Sequence, residues 1–562
     1  MIKKLPFSLV VFLMVLATYG QTIVSTTPEN RKVVLEEFTG IHCVYCPSGH
    51  QIAQGIQDAN PGNVFLINIH TGGYAIPGNG EPDFRTPYGA AIAGQTGLIG
   101  YPAGTINRQN FPGMEQGASG TTAMSRSRWT SAANQVLGDG SYVNLAVTAD
   151  VNAATNVMNI HVEVYYTGNS PESTNFLNVA ILQNNTLGPQ TGGNSGNNYN
   201  HMHRLIDMVT GQWGEEISPT TSGTFIARDY AYPILAHNNF VPVELPDLEV
   251  VVFLSETHQK IPSGNGAFPS YTVVNNNDAN LRYIEEIATD CLGEEITIAP
   301  RINIQNAGLD PITALTIDYD FNGTNHSYNW TGNIASLKSE TIELPSVTGT
   351  IIETNTLDIS LGNDDNNGNN EQTITFSKAP EGTGTVYMEL HTDNYGNECR
   401  WNLKDSNGNI LYNGGPYGNN QTINETFTLT EDCYSFNIID TYGDGGGEVT
   451  LTDHLGTQLY HTDGNFGSGE TAKFTSNGIL GVNQHTLEDI LVYPNPATST
   501  INVNNAESAN IEIYDVLGKM VLTQNNIALD AQIDISHIQS GAYFMKISKG
   551  NMVTTKKLLI AR

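Results

Sequence analysis

Short stretches in which apolar and polar residues alternate recur through the middle of this 562-residue chain. Examples are Val143-Asn-Leu-Ala-Val-Thr-Ala, Asn159-Ile-His-Val-Glu-Val-Tyr-Tyr166 and Leu357-Asp-Ile-Ser-Leu. Successive side chains of a β-strand point to opposite faces, so this period of two predicts strands with one buried and one exposed face. Turns rich in Asn, Gly and Pro separate the strands. The pattern predicts antiparallel β-sandwiches, and the chain length predicts several domains.

The net charge of the chain is −32, from 56 acidic and 24 basic residues. This excess of negative charge repels nucleic acid and anionic membrane surfaces, so we expect neither as a partner. Only 14% of the residues are charged, and the chain is rich in glycine. That composition is typical of turn-rich β-domains that work outside the cell.

Residues 1–20 have the order of a secretory signal peptide. Two lysines precede the apolar run 5–17, and small or polar residues follow. Cleavage is expected after Gly20. No later apolar stretch approaches the roughly 20 residues that a membrane-spanning helix needs. We therefore expect an exported chain without a transmembrane segment.

The segment from Val33 to Pro47 carries the clearest chemical motif. Its β-branched start predicts a buried strand, Gly40 predicts a bend, and the apolar spacing after Cys46 predicts a helix. Cys43 and Cys46 would then lie at a helix N-terminus. Unpaired backbone N–H groups and the helix dipole favour a thiolate at Cys43 there, and a thiolate is the species that attacks disulfides.

Predicted strands and helices alternate along residues 31–138. An apolar strand is predicted at residues 64–70, and helices are predicted at residues 88–98 and 125–137. This alternation favours an α/β domain with a mostly parallel sheet.

These residues resemble a thioredoxin-like domain. Cys43-Val-Tyr-Cys46 follows a strand and opens a helix, and Glu37 lies six positions before Cys43. Tyr101-Pro102 stands where that fold has a cis-proline facing the cysteines. The resemblance implies that Cys43 attacks, Cys46 resolves and Glu37 transfers the proton. It also implies that Pro102 shapes a groove for a substrate strand.

Two other roles of the cysteine pair stay open. In an oxidising compartment without a reductant, Cys43 and Cys46 would form a permanent structural disulfide at the start of the helix. Thiolates together with His42 or His70 would instead suit Cu(I) or Zn(II).

Several motifs resemble the Bacteroidetes family named for a 28-kDa outer-membrane protein. They are Glu-Glu-Phe-Thr-Gly, Cys-x-x-Cys-Pro, Gly-Tyr-Pro-x-Gly, Tyr199-Asn-His-Met-His-Arg204 and Thr210-Gly-Gln-Trp-Gly214. The resemblance implies a secreted or outer-membrane-associated protein and no particular reaction.

Three β-rich units are predicted after the first domain. Residues 140–290 form a β-sandwich, and residues 291–378 resemble an immunoglobulin-like module of the cell-adhesion-related type. Residues 381–476 resemble an accessory β-sandwich of secreted Bacteroidetes proteins. Five cysteines allow two pairs, and Cys399 and Cys433 each lie in an apparent strand of that third unit. We predict a Cys399–Cys433 disulfide and leave Cys291 unpaired.

Residues 490–562 resemble the type A sorting domain of the type IX secretion system. The segments that carry this resemblance are Val492-Tyr-Pro-Asn-Pro-Ala497, Ile511-Glu-Ile-Tyr-Asp-Val-Leu-Gly-Lys519 and Gly541-Ala-Tyr-Phe-Met-Lys-Ile547. The resemblance implies contact with the type IX machinery and export across the outer membrane. It also implies removal of the tail, and release or attachment at the cell surface.

Candidate metal ligands are few. Asp440 and Asp444 lie in a Gly-rich stretch and would supply oxygen ligands for Ca²⁺, although tight turns select the same residues. His201 and His203 would point to the same side of a strand, as a metal pair or as hydrogen-bonding groups. No hydrolase triad, phosphate loop or metalloprotease helix is present in the sequence.

Two function classes follow. In the first, the chain is a thiol–disulfide oxidoreductase that acts on extracellular or envelope proteins through Cys43, Cys46, Glu37 and Pro102. In the second, it is a non-catalytic surface adhesion or binding protein whose Cys-x-x-Cys pair is structural.

Overall fold

A computed structural model describes residues 23–562 apart from residues 79, 288–290, 292–294, 442–444, 468, 480–489 and 550–551. The predicted signal peptide lies outside the described residues. The described chain is mostly β-sheet, arranged in many small sheets with few helices. A multidomain, β-rich fold is thereby confirmed, while the thioredoxin-like and immunoglobulin-like assignments stay predictions.

The first part of the chain contains the long helices. Its elements are β1 (Val33–Thr39), α1 (Cys46–Ala59), β2 (Val64–His70), α2 (Gly89–Gly94), β3 (Ala103–Ile106), β4 (Met124–Ser125) and α3 (Arg126–Gly138). The strand predicted at residues 64–70 is observed with those bounds. The helix predicted at residues 88–98 is shorter, and Gly97 beyond its end has a left-handed φ of 69°.

The sheet of this part is mixed, so the expected mostly parallel sheet is wrong. β1 and β2 are parallel, from Val33 opposite Val64 to Thr39 opposite His70. β3 runs antiparallel to β1, and β4 runs antiparallel to β3. The periodicity of a sequence indicates where strands lie, but strand direction depends on how the connections return to the sheet.

The same sheet continues into the next part of the chain. Its strands are β5 (Val143–Asn152), β6 (Val157–Tyr166), β7 (Asn175–Gln183), β8 (Thr186–Gly188), β9 (Tyr199–His201), β10 (Arg204–Met208), β11 (Glu215–Ile217), β12 (Phe225–Pro233), β13 (His237–Asn238), β14 (Val241–Pro242), β15 (Leu248–Ser255), β16 (Gly264–Ala267) and β17 (Ser270–Thr272). β10 pairs with β2 through Arg204 and Asn68, which gives the order β16-β15-β7-β10-β2-β1-β3-β4 with β11 beside β7. Strands from both sides of the boundary predicted near residue 140 therefore share one sheet.

A second sheet, β12-β6-β5-β17, shares a hydrophobic core with β7, β10 and β15. The core is built from the alternating apolar residues of these strands, including Val162, Val164, Val179 and Val252. Alternation in the sequence thus corresponds to one buried face in each strand.

The third β-rich part begins before the predicted residue 291. Its strands are β18 (Ala279–Ile284), β19 (Glu295–Ile298), β20 (Arg301–Asn306), β21 (Ile312–Phe321), β22 (Thr324–Ile334), β23 (Ser339–Glu343), β24 (Val347–Thr350), β25 (Thr354–Leu361) and β26 (Glu371–Ser377). The sheets β18-β20-β23, β19-β24 and β22-β21-β25-β26 enclose a common core.

Two further units complete the described chain. The first contains β27 (Glu381–Gly382), β28 (Thr385–His391), β29 (Cys399–Lys404), β30 (Ile410–Gly414), β31 (Thr422–Thr428), β32 (Glu431–Asp440), β33 (Glu448–Asp453), β34 (Gln458–Thr462) and β35 (Gly469–Asn477). The second contains β36 (Leu491–Tyr493), β37 (Thr500–Asn504), β38 (Asn510–Asp515), β39 (Met520–Gln524), β40 (Asp530–Asp534), β41 (Gly541–Lys549) and β42 (Met552–Ile560). Each unit has two sheets around its own core.

The predicted Cys399–Cys433 disulfide is wrong. Cys433 is bonded to Cys291, and Cys399 is a buried free thiol. β29 and β32 are neighbours, but their register sets Cys399 opposite Asp440, seven residues beyond Cys433. Cys399 lies in the buried row of β29, whereas Cys433 alternates with the buried Tyr434 and so faces the other side of the sheet. Strand register and parity therefore prevent the predicted pairing.

Candidate functional site

The cysteine pair lies in the turn between β1 and α1. Cys46 is the first residue of α1, and its N–H donates to the carbonyl oxygen of Cys43 over 3.2 Å. Cys43 and Cys46 form a disulfide with their Cα atoms 5.4 Å apart. Val44 and Tyr45 between them are 57% and 64% exposed, whereas Cys43 and Cys46 are 3% and 0% exposed. The turn is at the surface, but its disulfide is shielded from solvent.

A short segment that we name the cover loop, residues 189–193, lies against this turn. The N–H of Thr191 donates to the carbonyl oxygen of Ile41 over 2.7 Å, and Nε2 of Gln190 donates to that of Cys43 over 3.0 Å. At Gly192, which has a φ of 81°, an added Cβ would lie 2.4 Å from the carbonyl oxygen of Val44. Only glycine permits this close approach, so the cover loop is fitted to the disulfide turn.

Glu37 and Pro102 meet at the first turns of α1. A Cβ added to Gly49 would lie 2.4 Å from Oε1 of Glu37 and 3.1 Å from Cγ of Pro102. The Tyr101–Pro102 peptide is cis. The predicted acid and proline therefore lie together beside the helix that begins at Cys46.

The carboxyl group of Glu37 is fully buried. Neither of its oxygens has a hydrogen-bond partner among the described residues. Burial raises the pKa of Glu37 well above its ordinary value, and the positive charge of Arg126 opposes this only in part. Glu37 is therefore protonated at a pH where an exposed glutamate has lost its proton.

His50 lies beside Glu37. Its Nε2 lies 3.8 Å from Oε1 of Glu37 and 3.0 Å from the hydroxyl oxygen of Thr39. Its Nδ1 lies 2.7 Å from the hydroxyl oxygen of Tyr199. Burial lowers the pKa of His50 to about 3, so its ring is neutral near neutral pH.

Two more buried imidazoles pack nearby. The rings of His70 and His201 have centroids 5.2 Å apart, and both contact Phe84 edge to face. Burial lowers the pKa of His201 to about 4 and the pKa of His70 well below its ordinary value. The guanidinium of Arg204 lies 5.1 Å from the centroid of Phe84. These neutral rings form an aromatic cluster.

The histidines considered as metal ligands point to other partners. Nε2 of His42 lies 3.0 Å from a carboxylate oxygen of Glu81. His203 has a φ of 52°, outside the strand that ends at His201, and its Nδ1 lies 2.8 Å from Glu249. The change in backbone conformation removes the strand parity that would align His201 and His203. In the part of the chain that the structure describes, no group of three or more His, Cys, Asp and Glu side chains is arranged to hold a metal ion.

The two aspartates proposed for calcium are seen only in part. Asp440 is the last residue of β32 and is buried. Asp444 lies outside the described residues. The calcium site stays a prediction.

Three residues of this site were not predicted from the sequence. His50 follows the Cys-x-x-Cys motif by four positions, which places it one helical turn after Cys46 and is a signal that helical spacing offers. Gln190 and Tyr199 belong to an Asn-, Gly- and Thr-rich stretch about 150 residues away. Nothing in their local sequence indicates where that stretch folds.

Two segments of the chain match known families. Residues 90–264 match the family described as outer membrane protein Omp28. Residues 491–561 match a second family. The description of that family is secretion system C-terminal sorting domain. Both resemblances predicted from the sequence are confirmed, and the Omp28 segment contains Pro102 and the cover loop but begins after Cys43 and Cys46.

Among curated proteins, beta-agarase D of Zobellia galactanivorans is 29% identical over 73 residues. The match covers 13% of this chain and 15% of the agarase, so the chain spans a small part of that relative's length. HBP35 of Porphyromonas gingivalis aligns with 56% of this chain and 98% of its own, at 15% identity and a TM-score of 0.34. The BSP domain of a biofilm associated protein aligns with 74% and 95%, at 11% identity and a TM-score of 0.15. TM-scores this low support no conclusion about the fold.

The location predicted from the sequence is confirmed by the Omp28 and sorting-domain matches. They indicate export to the cell surface or the extracellular space, and the sorting tail implies contact with the type IX secretion machinery. Among the described residues, no helix combines the length and apolar character needed to cross a bilayer.

Proposed function

We propose that this secreted, cell-surface protein carries out thiol–disulfide exchange at Cys43 and Cys46, with dithiols of extracellular or envelope proteins as substrates. The observation that carries the proposal is the fully buried carboxyl group of Glu37, which accepts no hydrogen bond from the described residues and lies beside the helix that begins at Cys46. A purely structural disulfide does not require such a group, and an acid with a perturbed pKa next to a reactive pair is typical of catalytic sites.

The reaction begins with the oxidised protein and a substrate dithiol. A substrate thiolate attacks Sγ of Cys43, the Cys43–Cys46 bond breaks, and Cys46 leaves as a thiolate. Glu37 gives its proton to Cys46 and becomes a carboxylate. The second substrate thiol, as a thiolate, then attacks the mixed disulfide, which releases the oxidised substrate and leaves Cys43 as a thiolate. That thiolate attacks a small-molecule disulfide and expels one thiolate from it. Cys46 returns its proton to the carboxylate of Glu37, attacks Sγ of Cys43 and expels the second small thiolate, so the Cys43–Cys46 bond forms again.

Attack at Cys43 requires the cover loop to move. Cys43 is 3% exposed, and the contacts of Gln190 and Gly192 lie on the same turn. The cover loop would thus limit the reaction to substrates that displace it.

The experiment is a redox equilibration of the full chain with glutathione, in a Cys399→Ser background that removes the free thiol. An exchange protein equilibrates at a potential close to those of known exchange enzymes, about −120 to −270 mV, and oxidises a reduced peptide dithiol. A potential below about −300 mV, without oxidation of the dithiol, would overturn the proposal. Cys43→Ser in the same background is the inactive control.

A second candidate function is favoured by the burial of both cysteines. In this alternative the chain is a non-catalytic surface binding or adhesion protein, and the Cys43–Cys46 disulfide holds the turn before α1. The same equilibration distinguishes the two, because a structural disulfide resists reduction by glutathione.

The tail provides a separate proposal about maturation. We expect the type IX machinery to recognise the segment matched at residues 491–561, which is then removed as the protein is released or attached at the surface. Mass spectrometry of surface and medium fractions should identify chains that end before this segment. Full-length chains retained in the periplasm would contradict the expectation.

A further inference from the structure

Arg126, the first residue of α3, lies against the disulfide turn. Its Nε donates to the hydroxyl oxygen of Ser48 on α1 over 3.2 Å, and its guanidinium carbon lies 5.5 Å from the centroid of the Tyr45 ring. Tyr45 stands between Cys43 and Cys46 and is 64% exposed. A guanidinium is attracted to an aromatic face at this distance. Two contacts therefore hold a positive charge beside the turn that carries the disulfide.

The two terminal nitrogens of Arg126 are open to a ligand. Among the described residues, neither nitrogen donates a hydrogen bond, and no carboxylate forms an ion pair with the guanidinium. Its charge acts on Glu37, but the oxygens of that buried carboxyl group have no hydrogen-bond partner in the described part of the chain. Three other arginines of the first part of the chain do pair with acids: Arg31 with Asp139, Arg85 with Asp83 and Arg108 with Glu36.

We infer that Arg126 selects substrates that carry a carboxylate next to the reacting cysteine. The inference rests on the proposed exchange function and names the substrate class of that site, which is thiols of exported proteins or peptides flanked by Asp or Glu. The terminal nitrogens of a guanidinium can donate two parallel hydrogen bonds to a carboxylate. Because Tyr45 beneath the guanidinium adjoins Cys46, a carboxylate held there brings a neighbouring substrate thiolate to the disulfide.

The preference has to arise in direct contact. The net charge of −32 repels an acidic substrate at a distance. At physiological ionic strength, however, the interaction between exposed charges is largely screened beyond about 8 Å. A carboxylate hydrogen-bonded to Arg126 is well inside that distance, so the local positive charge opposes the general repulsion at the site itself. In about 1 M salt the screening length falls to about 3 Å, and the preference should shrink.

A general effect of Arg126 makes a different prediction. The guanidinium could serve only to pack against Tyr45, to attract the attacking thiolate of any substrate, or to act on Glu37. Each of these effects changes the rate for acidic, neutral and basic substrates by the same factor. The ratio of the rates for acidic and neutral substrates therefore isolates a contact between Arg126 and a substrate carboxylate.

The test uses full-length protein with Cys399→Ser and three peptide dithiols with blocked ends. The peptides differ only in the residue after each cysteine, which is Glu, Gln or Lys. The second-order rate of peptide oxidation by the Cys43–Cys46 disulfide is measured at about 0.15 M and about 1 M salt. In the parent at the lower salt, we expect the Glu peptide to react about threefold to fivefold faster than the Gln peptide, which is the size of effect that an ion pair at a protein surface gives. The Lys peptide should be slower than the Gln peptide.

Three added variants assign the preference. Arg126→Gln should lower the ratio of the Glu-peptide rate to the Gln-peptide rate to about one or below, because the local positive charge is lost. Arg126→Lys keeps the charge without the planar pair of donors, so it should retain part of the preference. Arg128→Gln is the matched control. Arg128 is exposed on the same helix, and a residue two positions further along points about 200° away around the helix axis. This control should keep the ratio of the parent.

Each contrary result has a distinct meaning. The same ratio in the parent and in Arg126→Gln would overturn the substrate preference and leave the exchange function standing. An equal loss of preference in Arg128→Gln would overturn the assignment to Arg126 in favour of the general charge at the start of α3. A parent that oxidises none of the three peptides faster than its Cys43→Ser variant would overturn the exchange function, and the preference with it.

Discussion

Nε2 of Gln190 lies 3.0 Å from the carbonyl oxygen of Cys43, and this contact fastens the cover loop to the turn that carries the disulfide. The same nitrogen lies 3.2 Å from the carbonyl oxygen of Gly40, and the side chain of Gln190 is buried. One amide thus satisfies two backbone carbonyls of the turn. The amide that contacts the disulfide turn thus comes from a residue 147 positions away in the sequence.

Gln190→Ala should make the disulfide more accessible. Loss of the amide removes two hydrogen bonds to the turn, and each is worth about 0.5–1.5 kcal/mol. We expect the rate of Cys43–Cys46 reduction by dithiothreitol to rise about fivefold to a hundredfold, because the closed state of the cover loop loses about 1–3 kcal/mol. Gln51→Ala, an exposed position on α1, is the matched control and should leave the rate unchanged. An unchanged rate in Gln190→Ala would mean that the amide does not hold the cover loop closed.

Glu37→Gln should stabilise the protein increasingly as the pH rises. In the unfolded chain a glutamate ionises near pH 4.3, whereas burial raises the pKa of Glu37 in the folded state. Between these two pKa values the folded state holds one more proton, so the free energy of unfolding of the parent falls by about 1.4 kcal/mol per pH unit through this group. Glutamine does not ionise, so the free energy of unfolding of the variant lacks this dependence on pH.

The measurement for Glu37→Gln is urea unfolding at pH 5 and pH 8. The free energy of unfolding of Glu37→Gln should rise relative to that of the parent between pH 5 and pH 8. Glu172→Gln, at an exposed position, should show no comparable gain. A difference between parent and Glu37→Gln that does not grow with pH would contradict the raised pKa.

Thiol labelling should identify Cys399 as the free cysteine. Burial raises the pKa of its thiol to about 11, helped by the negative charges of Asp440 and Asp393. At pH 8 the folded protein holds about one thiolate in a thousand, so iodoacetamide should label almost no thiol. After unfolding with the disulfides intact, one label should appear on Cys399. A label on Cys291 instead would support the pairing of Cys399 with Cys433.

Arg108→Met should destabilise the first sheet strongly. Nε and one terminal nitrogen of Arg108 donate to the two carboxylate oxygens of Glu36 over 2.8 and 2.6 Å, and both side chains are almost fully buried. Removing the guanidinium leaves the carboxylate of Glu36 buried without its charged partner, at a cost of about 3–5 kcal/mol.

Urea unfolding followed by tryptophan fluorescence tests the Arg108→Met prediction. Arg228→Met is the matched control, because Arg228 makes a 2.6 Å pair with Glu215 and both side chains are 37% exposed. The control should cost less than about 1 kcal/mol. Comparable losses in the two variants would show that burial does not set the strength of the Arg108–Glu36 pair.

The strand and the helix of the site were predictable from the sequence. The covering of the disulfide turn by the cover loop was not. The run of apolar residues before Cys43 and the helical spacing after Cys46 predicted β1 and α1, because these signals are contained in a few neighbouring residues. The prediction of a Cys399–Cys433 disulfide was wrong for the opposite reason. Two cysteines in adjacent strands can bond only if register and parity bring them together, and neither quantity is written in the local sequence.

By itself, the sequence determined the β-rich, multidomain character of the chain, its sorting tail, and the order of strand, Cys-x-x-Cys pair and helix. These properties follow from short-range periodicity and from contiguous motifs. Only the tertiary structure decided that β10 joins β2 in one sheet and that Gln190 and Tyr199 close over Cys43 and His50. The physical reason is that such contacts depend on the packing of distant segments, whose burial sets both the access to the disulfide and the pKa of Glu37.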